Sequence, residues 1–119
     1  MQKILVVDDN KYTRLALTAI IEDSGFKALT LPGGDGVLEE IESKKPDLVI
    51  LDKRLPGYDG IEILREVKKT YNDLKVIILT AYADEISARK AIEIGAFAFL
   101  TKPFDNEELI SIIKKAVKS

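Results

Sequence analysis

The sequence predicts a doubly wound α/β domain with five parallel strands and five helices, and three observations lead there. Five short runs, at residues 3–7, 27–31, 48–51, 76–79 and 97–101, read as strands; those at 3–7 and 76–79 read as buried, and the uninterrupted apolar run at 48–51 suits a central strand covered on both faces. Each is followed, after a few residues, by a stretch of helical spacing, and right-handed crossovers turn that alternation into a parallel sheet with helices on both sides. The chain has 119 residues, 46% of them hydrophobic, which supplies one core, so residues 1–119 read as one domain without a linker.

The first run ends in Asp8-Asp9-Asn10, after which Tyr12, Leu15, Ala16, Ala19 and Ile20 follow the spacing of one helix face and Gly25 supplies the stop. Beyond the second run, Pro32-Gly33-Gly34 makes a turn and Val37, Leu38 and Ile41 form the inner stripe of the second helix. Gly33, Gly34 and Gly36 lack the Lys-Ser/Thr of a nucleotide-binding loop and read as turn residues. The third run, Leu48-Val49-Ile50-Leu51, suits the centre of the sheet and delivers Asp52; Leu55-Pro56-Gly57-Tyr58 then places Pro and Gly at the middle of a type II turn. Asp59 and Glu62 have capping-box spacing and open a third helix with Ile61, Leu64 and Val67 inward. The fourth run closes with Thr80-Ala81. The helix expected at 84–94 has a thin inner face of Ala88, Ala91 and Ile92, with Ile86 and Ile94 pointing elsewhere, which makes it the easiest helix to displace. Gly95 ends it. Lys102-Pro103 turns the chain out of the fifth strand, and Asp105 with Glu108 caps a last helix built on Leu109, Ile112, Ile113, Ala116 and Val117.

Composition excludes several chemistries. Lysine and arginine total 18 against 20 acidic residues, a near balance that gives no electrostatic reason to expect nucleic acid or membrane as the main partner. The absence of cysteine removes disulfides and thiolate catalysis, and the absence of histidine removes an imidazole base or ligand. Any metal must be held by oxygen, which points to magnesium, manganese or calcium. The first strand begins almost at Met1 and no apolar run reaches membrane-spanning length, so a cytoplasmic protein is expected.

An acid after a buried strand either opens a turn or sits where ligands gather, at the carboxyl edge of an α/β sheet. For Asp52 the company decides: Asp8 and Asp9 follow the first strand, Thr80 the fourth and Lys102 the fifth. With strand order 2-1-3-4-5, the first and third strands are neighbours and Asp8, Asp9 and Asp52 share one pocket. Three carboxylates that close repel one another and call for a cation, and magnesium leaves coordination positions free for phosphate oxygens. Lys102 adds a fixed positive charge and Thr80 a hydroxyl donor. The set has the makings of a phosphoryl-transfer site, with Asp52 as the nucleophile.

In order and spacing, VVDDN, LDKRLPGYDG, LTAY and FLTKPF resemble the motifs of bacterial two-component response-regulator receiver domains over the whole chain. PGYDGIEIL and TKPFD are similar to single-domain sporulation-relay members and to receivers of sigma-54-dependent activators. The resemblance implies a flavodoxin-like receiver fold with strand order 2-1-3-4-5. It implies that Asp52 accepts a phosphoryl group from a phosphohistidine on a sensor histidine kinase or histidine phosphotransfer protein. Asp9, Asp52 and the main-chain carbonyl of Arg54 would ligate Mg2+ (or Mn2+), and Asp8 would act mainly through metal-bound water. Thr80, Lys102 and the amide of Ala81 would hold the phosphoryl oxygens, and the Lys102-Pro103 peptide would be cis. Such a domain is a signalling phosphoacceptor that catalyses only its own phosphorylation and dephosphorylation. It binds no nucleic acid itself, and its downstream target is not written in these residues.

Phe99 matches the family's aromatic switch position, where movement of Thr80 would let the ring turn inward and bias the fourth helix, fifth strand and fifth helix. Many members carry Tyr there; Phe99 would act by packing alone, and it reads equally as an ordinary strand aromatic. Arg54 and Tyr82 stand two residues after Asp52 and Thr80, places that in this family tune hydrolysis, and their bulk is expected to lengthen the phosphorylated lifetime. A flavodoxin-like electron carrier and a magnesium-dependent phosphohydrolase with an aspartyl-phosphate intermediate are the rival readings. The first lacks a Ser/Thr- and Gly-rich loop after the first strand, and the second a clear acid/base residue and lid.

Overall fold

A computed structural model describes residues 1–118. Its elements run β1 (Lys3–Val7), α1 (Lys11–Asp23), β2 (Lys27–Leu31), α2 (Val37–Lys44), β3 (Leu48–Leu51), β4 (Arg54–Leu55), β5 (Tyr58–Asp59), α3 (Gly60–Thr70), β6 (Lys75–Thr80), α4 (Glu85–Ile94), β7 (Ala98–Thr101) and α5 (Asn106–Lys118). Five strands form one parallel sheet in the order β2-β1-β3-β6-β7, which is the expected 2-1-3-4-5 order once the two short strands outside the sheet are set aside.

Those two, β4 and β5, are a feature the sequence did not announce. They pair antiparallel, Arg54 with Asp59 and Leu55 with Tyr58, around Pro56-Gly57. Gly57 has φ +77, the left-handed conformation required at the second middle position of the expected type II turn. Arms of two residues are too short to express a period-two pattern.

Every residue of β3 is buried, and its alternating side chains serve two cores. Val49 and Leu51 join Leu5, Val7, Val76 and Ile78 under α2, α3 and α4, where Ile41, Ile61, Leu64, Val67 and Ala91 meet them. Leu48 and Ile50 join Ile4, Val6, Ile77 and Leu79 against Leu17, Ile21, Leu109, Ile113 and Ala116 of α1 and α5. Among the described residues no helix is long and apolar enough to cross a membrane.

Two helix faces differ from expectation. On α1 the buried residues are Leu17 and Ile21, while Tyr12 and Leu15 are 79% and 56% exposed and Ala16 and Ala19 are exposed too. Two apolar stripes run side by side along this helix, both with helical spacing, and periodicity alone does not say which one meets the sheet. On α4 Ala91 is fully buried and Ala88 half-buried, but Ile92 lies outward and Ile94 packs against the core instead. Ile86 is exposed, as expected. The capping boxes form in one direction: Asp59 accepts from the Ile61 amide and Asp105 from the Glu108 amide. Glu62 turns instead toward Arg65.

Candidate functional site

Backbone pairing continues one residue past three strands and fixes three of the five expected site residues. The Asp8 amide donates to the Leu31 carbonyl at 3.2 Å, the Asp52 amide to the Val7 carbonyl at 3.0 Å and the Lys102 amide to the Thr80 carbonyl at 2.9 Å. Their side chains therefore leave the sheet from one edge, in register with one another. Gly60 adds a constraint from below: a Cβ there would collide with the Asp52 carbonyl and the Lys53 backbone, so only glycine lets α3 begin this close to the end of β3.

Asp8 and Asp52 are almost wholly buried, and the Lys102 ammonium bridges them, 2.6 Å from Oδ2 of Asp8 and 3.1 Å from Oδ2 of Asp52. The remaining carboxylate oxygens are held by main-chain donors: the Asn10 amide reaches Oδ1 of Asp8 at 2.9 Å and the Arg54 amide reaches Oδ1 of Asp52 at 3.1 Å. Asp9 is exposed, yet one of its oxygens lies in a group with oxygens of Asp8 and Asp52 in which all separations are within 4.8 Å. Thr80 is fully buried and its Oγ1 accepts from the Tyr82 amide at 3.0 Å. The Lys102-Pro103 peptide is cis.

Burial pushes the Asp8 carboxyl above the usual carboxylate range, and the Asp52 charge adds to that, while Lys102 and the Asn10 amide pull it back. Burial alone would lower the Lys102 ammonium, but its hydrogen bonds to Asp8 and Asp52 and their charges outweigh it and raise it, so it stays charged. Three clustered carboxylates against one ammonium leave an excess of negative charge at a partly buried edge. That donor set, all hard oxygen, fits a divalent cation such as magnesium.

Asp8, Asp9, Asp52 and Lys102 thus meet, and Thr80 stands at the end of the neighbouring β6, where its carbonyl accepts from the Lys102 amide. Arg54 contacts the cluster through its amide; its guanidinium stacks on the Tyr82 ring, 4.3 Å from the centroid. Arg54 and Tyr82, with Asp9, Leu55, Pro56 and Tyr58, line a cavity of about 390 Å3 beside the acids. Phe99 stands apart: it is half-buried on β7, opposite Ile78, and packs with the α3 and α4 layer. Sequence reasoning passed over Asn10, whose side chain also caps α1 through the Tyr12 and Thr13 amides, and Arg14, which donates to the Asp8 carbonyl at 2.7 Å. An Asn directly before a helix is a readable cap signal; an Arg inside one is not.

Residues 4–114 match the family model described as the response regulator receiver domain. The chain is 38% identical over 114 residues to the DNA-binding transcriptional regulator NtrC of Escherichia coli (strain K12), covering 96% of this chain and 24% of that protein. It is 37% identical over 114 residues to sporulation initiation phosphotransferase F of Bacillus subtilis (strain 168), covering 96% of this chain and 92% of the relative. The chain therefore spans about a quarter of the length of NtrC and nearly all of the sporulation protein. A CheY-like response regulator receiver domain protein from Methanospirillum hungatei JF-1 superposes with a TM-score of 0.94 at 27% identity, over 99% of this chain and 94% of that one. A receiver domain protein from Clostridium thermocellum gives 0.92 at 33% identity, over 99% and 95%. Neither the electron-carrier nor the phosphohydrolase reading is favoured by these matches. With its sheet order, its acid cluster and its relatives in agreement, the chain belongs to the response-regulator receiver family, the phosphate-accepting signalling domains of two-component systems.

Proposed function

We propose that Asp52 is the phosphoacceptor of this domain and that residues 1–119 form a single receiver. The observation that carries the proposal is the Lys102 ammonium bridging Asp8 and Asp52, with an Asp9 oxygen in the same cluster. The donor is a phosphohistidine on a sensor histidine kinase or histidine phosphotransfer protein. An Asp52 carboxylate oxygen attacks phosphorus in line, the P–N bond breaks, and the imidazole departs with the bonding electron pair. Lys102 leaves part of its ion pair with Asp52 to hold a phosphoryl oxygen, and Thr80, whose oxygen already accepts from Tyr82, has its own proton free to donate to another. Asp8, Asp9, Asp52 and the Arg54 carbonyl would hold Mg2+ (or Mn2+), which supplies charge neutralisation for the transferring group.

The domain catalyses only its own phosphorylation and dephosphorylation, works in the cytoplasm and does not itself bind nucleic acid. Arg54 and Tyr82, stacked over the cavity beside the acids, slow the approach of hydrolytic water. Phe99 reports through packing to α4, β7 and α5: its half-buried ring gains cover when Thr80 shifts. A magnesium titration tests the site. With acetyl phosphate as donor, the phosphorylation rate should rise with Mg2+ and vanish with chelator in the wild type, and an Asp9→Asn variant should need far more metal for the same rate. Metal-independent phosphorylation would contradict the assignment.

A further inference from the structure

Lys53 directly follows the proposed phosphoacceptor, yet its ammonium makes its contacts at the end of another strand. Nζ donates to the Tyr82 carbonyl at 2.7 Å and to Oδ2 of Asp84 at 2.8 Å. The lysine side chain is only 15% exposed, against 53% for Asp84, so its stem is covered by protein and its head is spent on the neighbouring loop. Each partner in turn holds a further piece of the chain. Asp84 caps α4, accepting from the Ser87 amide at 2.8 Å and the Ser87 hydroxyl at 2.9 Å. Tyr82 is the residue whose amide engages the Thr80 hydroxyl oxygen. One ammonium thereby ties down the segment that carries Thr80 and Ala81 at its start and the N-terminal end of α4 at its finish.

We propose that Lys53 is a positioning residue that latches the 81–84 loop and the start of α4 in the resting arrangement, in opposition to the one a phosphoryl group on Asp52 demands. The proposal rests on Asp52 being the phosphoacceptor. When Thr80 donates to a phosphoryl oxygen its side chain moves toward β3. The Tyr82 turn bonded to it moves as well, and the Tyr82 carbonyl must leave Lys53. A ligand shifts such an equilibrium only by its differential affinity for the two arrangements, so the latch weakens apparent binding of anything that mimics the phosphoryl group. The residue next to Asp52 then sets how much of the binding of that group is spent on moving the loop.

The test compares wild type with Lys53→Met, Lys53→Arg, Asp84→Asn and the K53M/D84N pair; Asn retains the capping ability of Asp. Amide hydrogen exchange of residues 81–88 is measured without phosphoryl mimic, and beryllofluoride affinity is measured with magnesium. Lys53→Met and Asp84→Asn should each speed exchange in this segment and tighten beryllofluoride by roughly fivefold, the lower end of ordinary coupling between sites. The pair should add little to either single change, and Lys53→Arg should stay within about twofold of wild type, because it keeps charge and reach. Unchanged exchange would overturn the latch. Faster exchange with unchanged or weaker beryllofluoride binding would overturn its coupling to Asp52, since a purely structural tie moves the first readout alone. Should wild type bind no beryllofluoride, the phosphoacceptor assignment fails, and the exchange measurement still decides whether Lys53 holds the loop.

Discussion

Two helices of similar length, α3 and α4, lie in the same layer of the fold and are held very differently. Of the eleven residues of α3, five are buried, Gly60, Ile61, Ile63, Leu64 and Val67. Of the ten in α4, only Ala91 is. The first helix starts against the Asp52 carbonyl and fixes the end of the strand that delivers Asp52; the second starts five residues after Thr80 and is moored at its N-terminus by Asp84 and Lys53. The difference teaches where the domain spends its packing. Chemistry needs a nucleophile held to fractions of an ångström, and a readout needs an element whose two positions differ little in free energy.

The largest expected effect lies on the rigid side. Replacing Lys102 by Met removes the ammonium that spans Asp8 and Asp52, and the rate of phosphorylation by acetyl phosphate should fall about a hundredfold, the usual loss for one preorganised electrostatic group. An unaltered rate would mean that the ion pair is only structural. Next comes stability. Leu64→Ala in α3, at a fully buried position, should cost about 3 kcal/mol in urea denaturation, whereas Ile86→Ala in α4, 80% exposed, should stay within about 0.5 kcal/mol. Equal costs would erase the contrast between the helices.

A smaller effect sharpens it at the rim. Arg54→Ala and Tyr82→Ala, singly and together, should speed dephosphorylation by roughly two- to tenfold, which corresponds to losing about 0.4 to 1.4 kcal/mol of obstruction to water. No change in any of the three would remove these side chains from the account. Smallest is a pH effect at the mooring. The Lys53 hydrogen bond, followed by those from Ser87, lowers the Asp84 carboxyl from 3.8 to about 2. A depressed carboxylate contributes stability above its unfolded value near 3.8, and that contribution is lost as pH falls through about 2. The neighbouring acid Glu85 is paired with Arg89 and does not share the lysine. Carboxyl titration by NMR should give Asp84 a midpoint near 2 that rises in Lys53→Met; an ordinary midpoint in wild type would deny the tie.

The site was legible because each of its residues follows an apolar run, and the coincidence of Asp8-Asp9, Asp52, Thr80 and Lys102 at strand ends survives any error in helix faces. The faces themselves were less legible. Leu17 and Ile21 compete with Tyr12, Leu15 and Ala19 along one helix, and only packing against the sheet beside α5 decides between the stripes. In α4, Ile92 and Ile94 are equally apolar, and only tertiary packing decides that Ile94 joins the core while Ile92 lies outward. The hairpin arms at Arg54 and Tyr58 are too brief to carry a pattern. Lys53 is the instructive failure, since a lysine after a strand reads as a solvated charge until its partner 31 residues away is seen.

The central claim is that side chains from the ends of four strands converge so that one carboxylate takes a phosphoryl group. Intact-mass analysis after incubation with acetyl phosphate and magnesium tests it most directly. The wild type should gain the mass of one acid-labile phosphoryl group, and Asp52→Asn should gain none; equal labelling of the two proteins, or none of either, would contradict it.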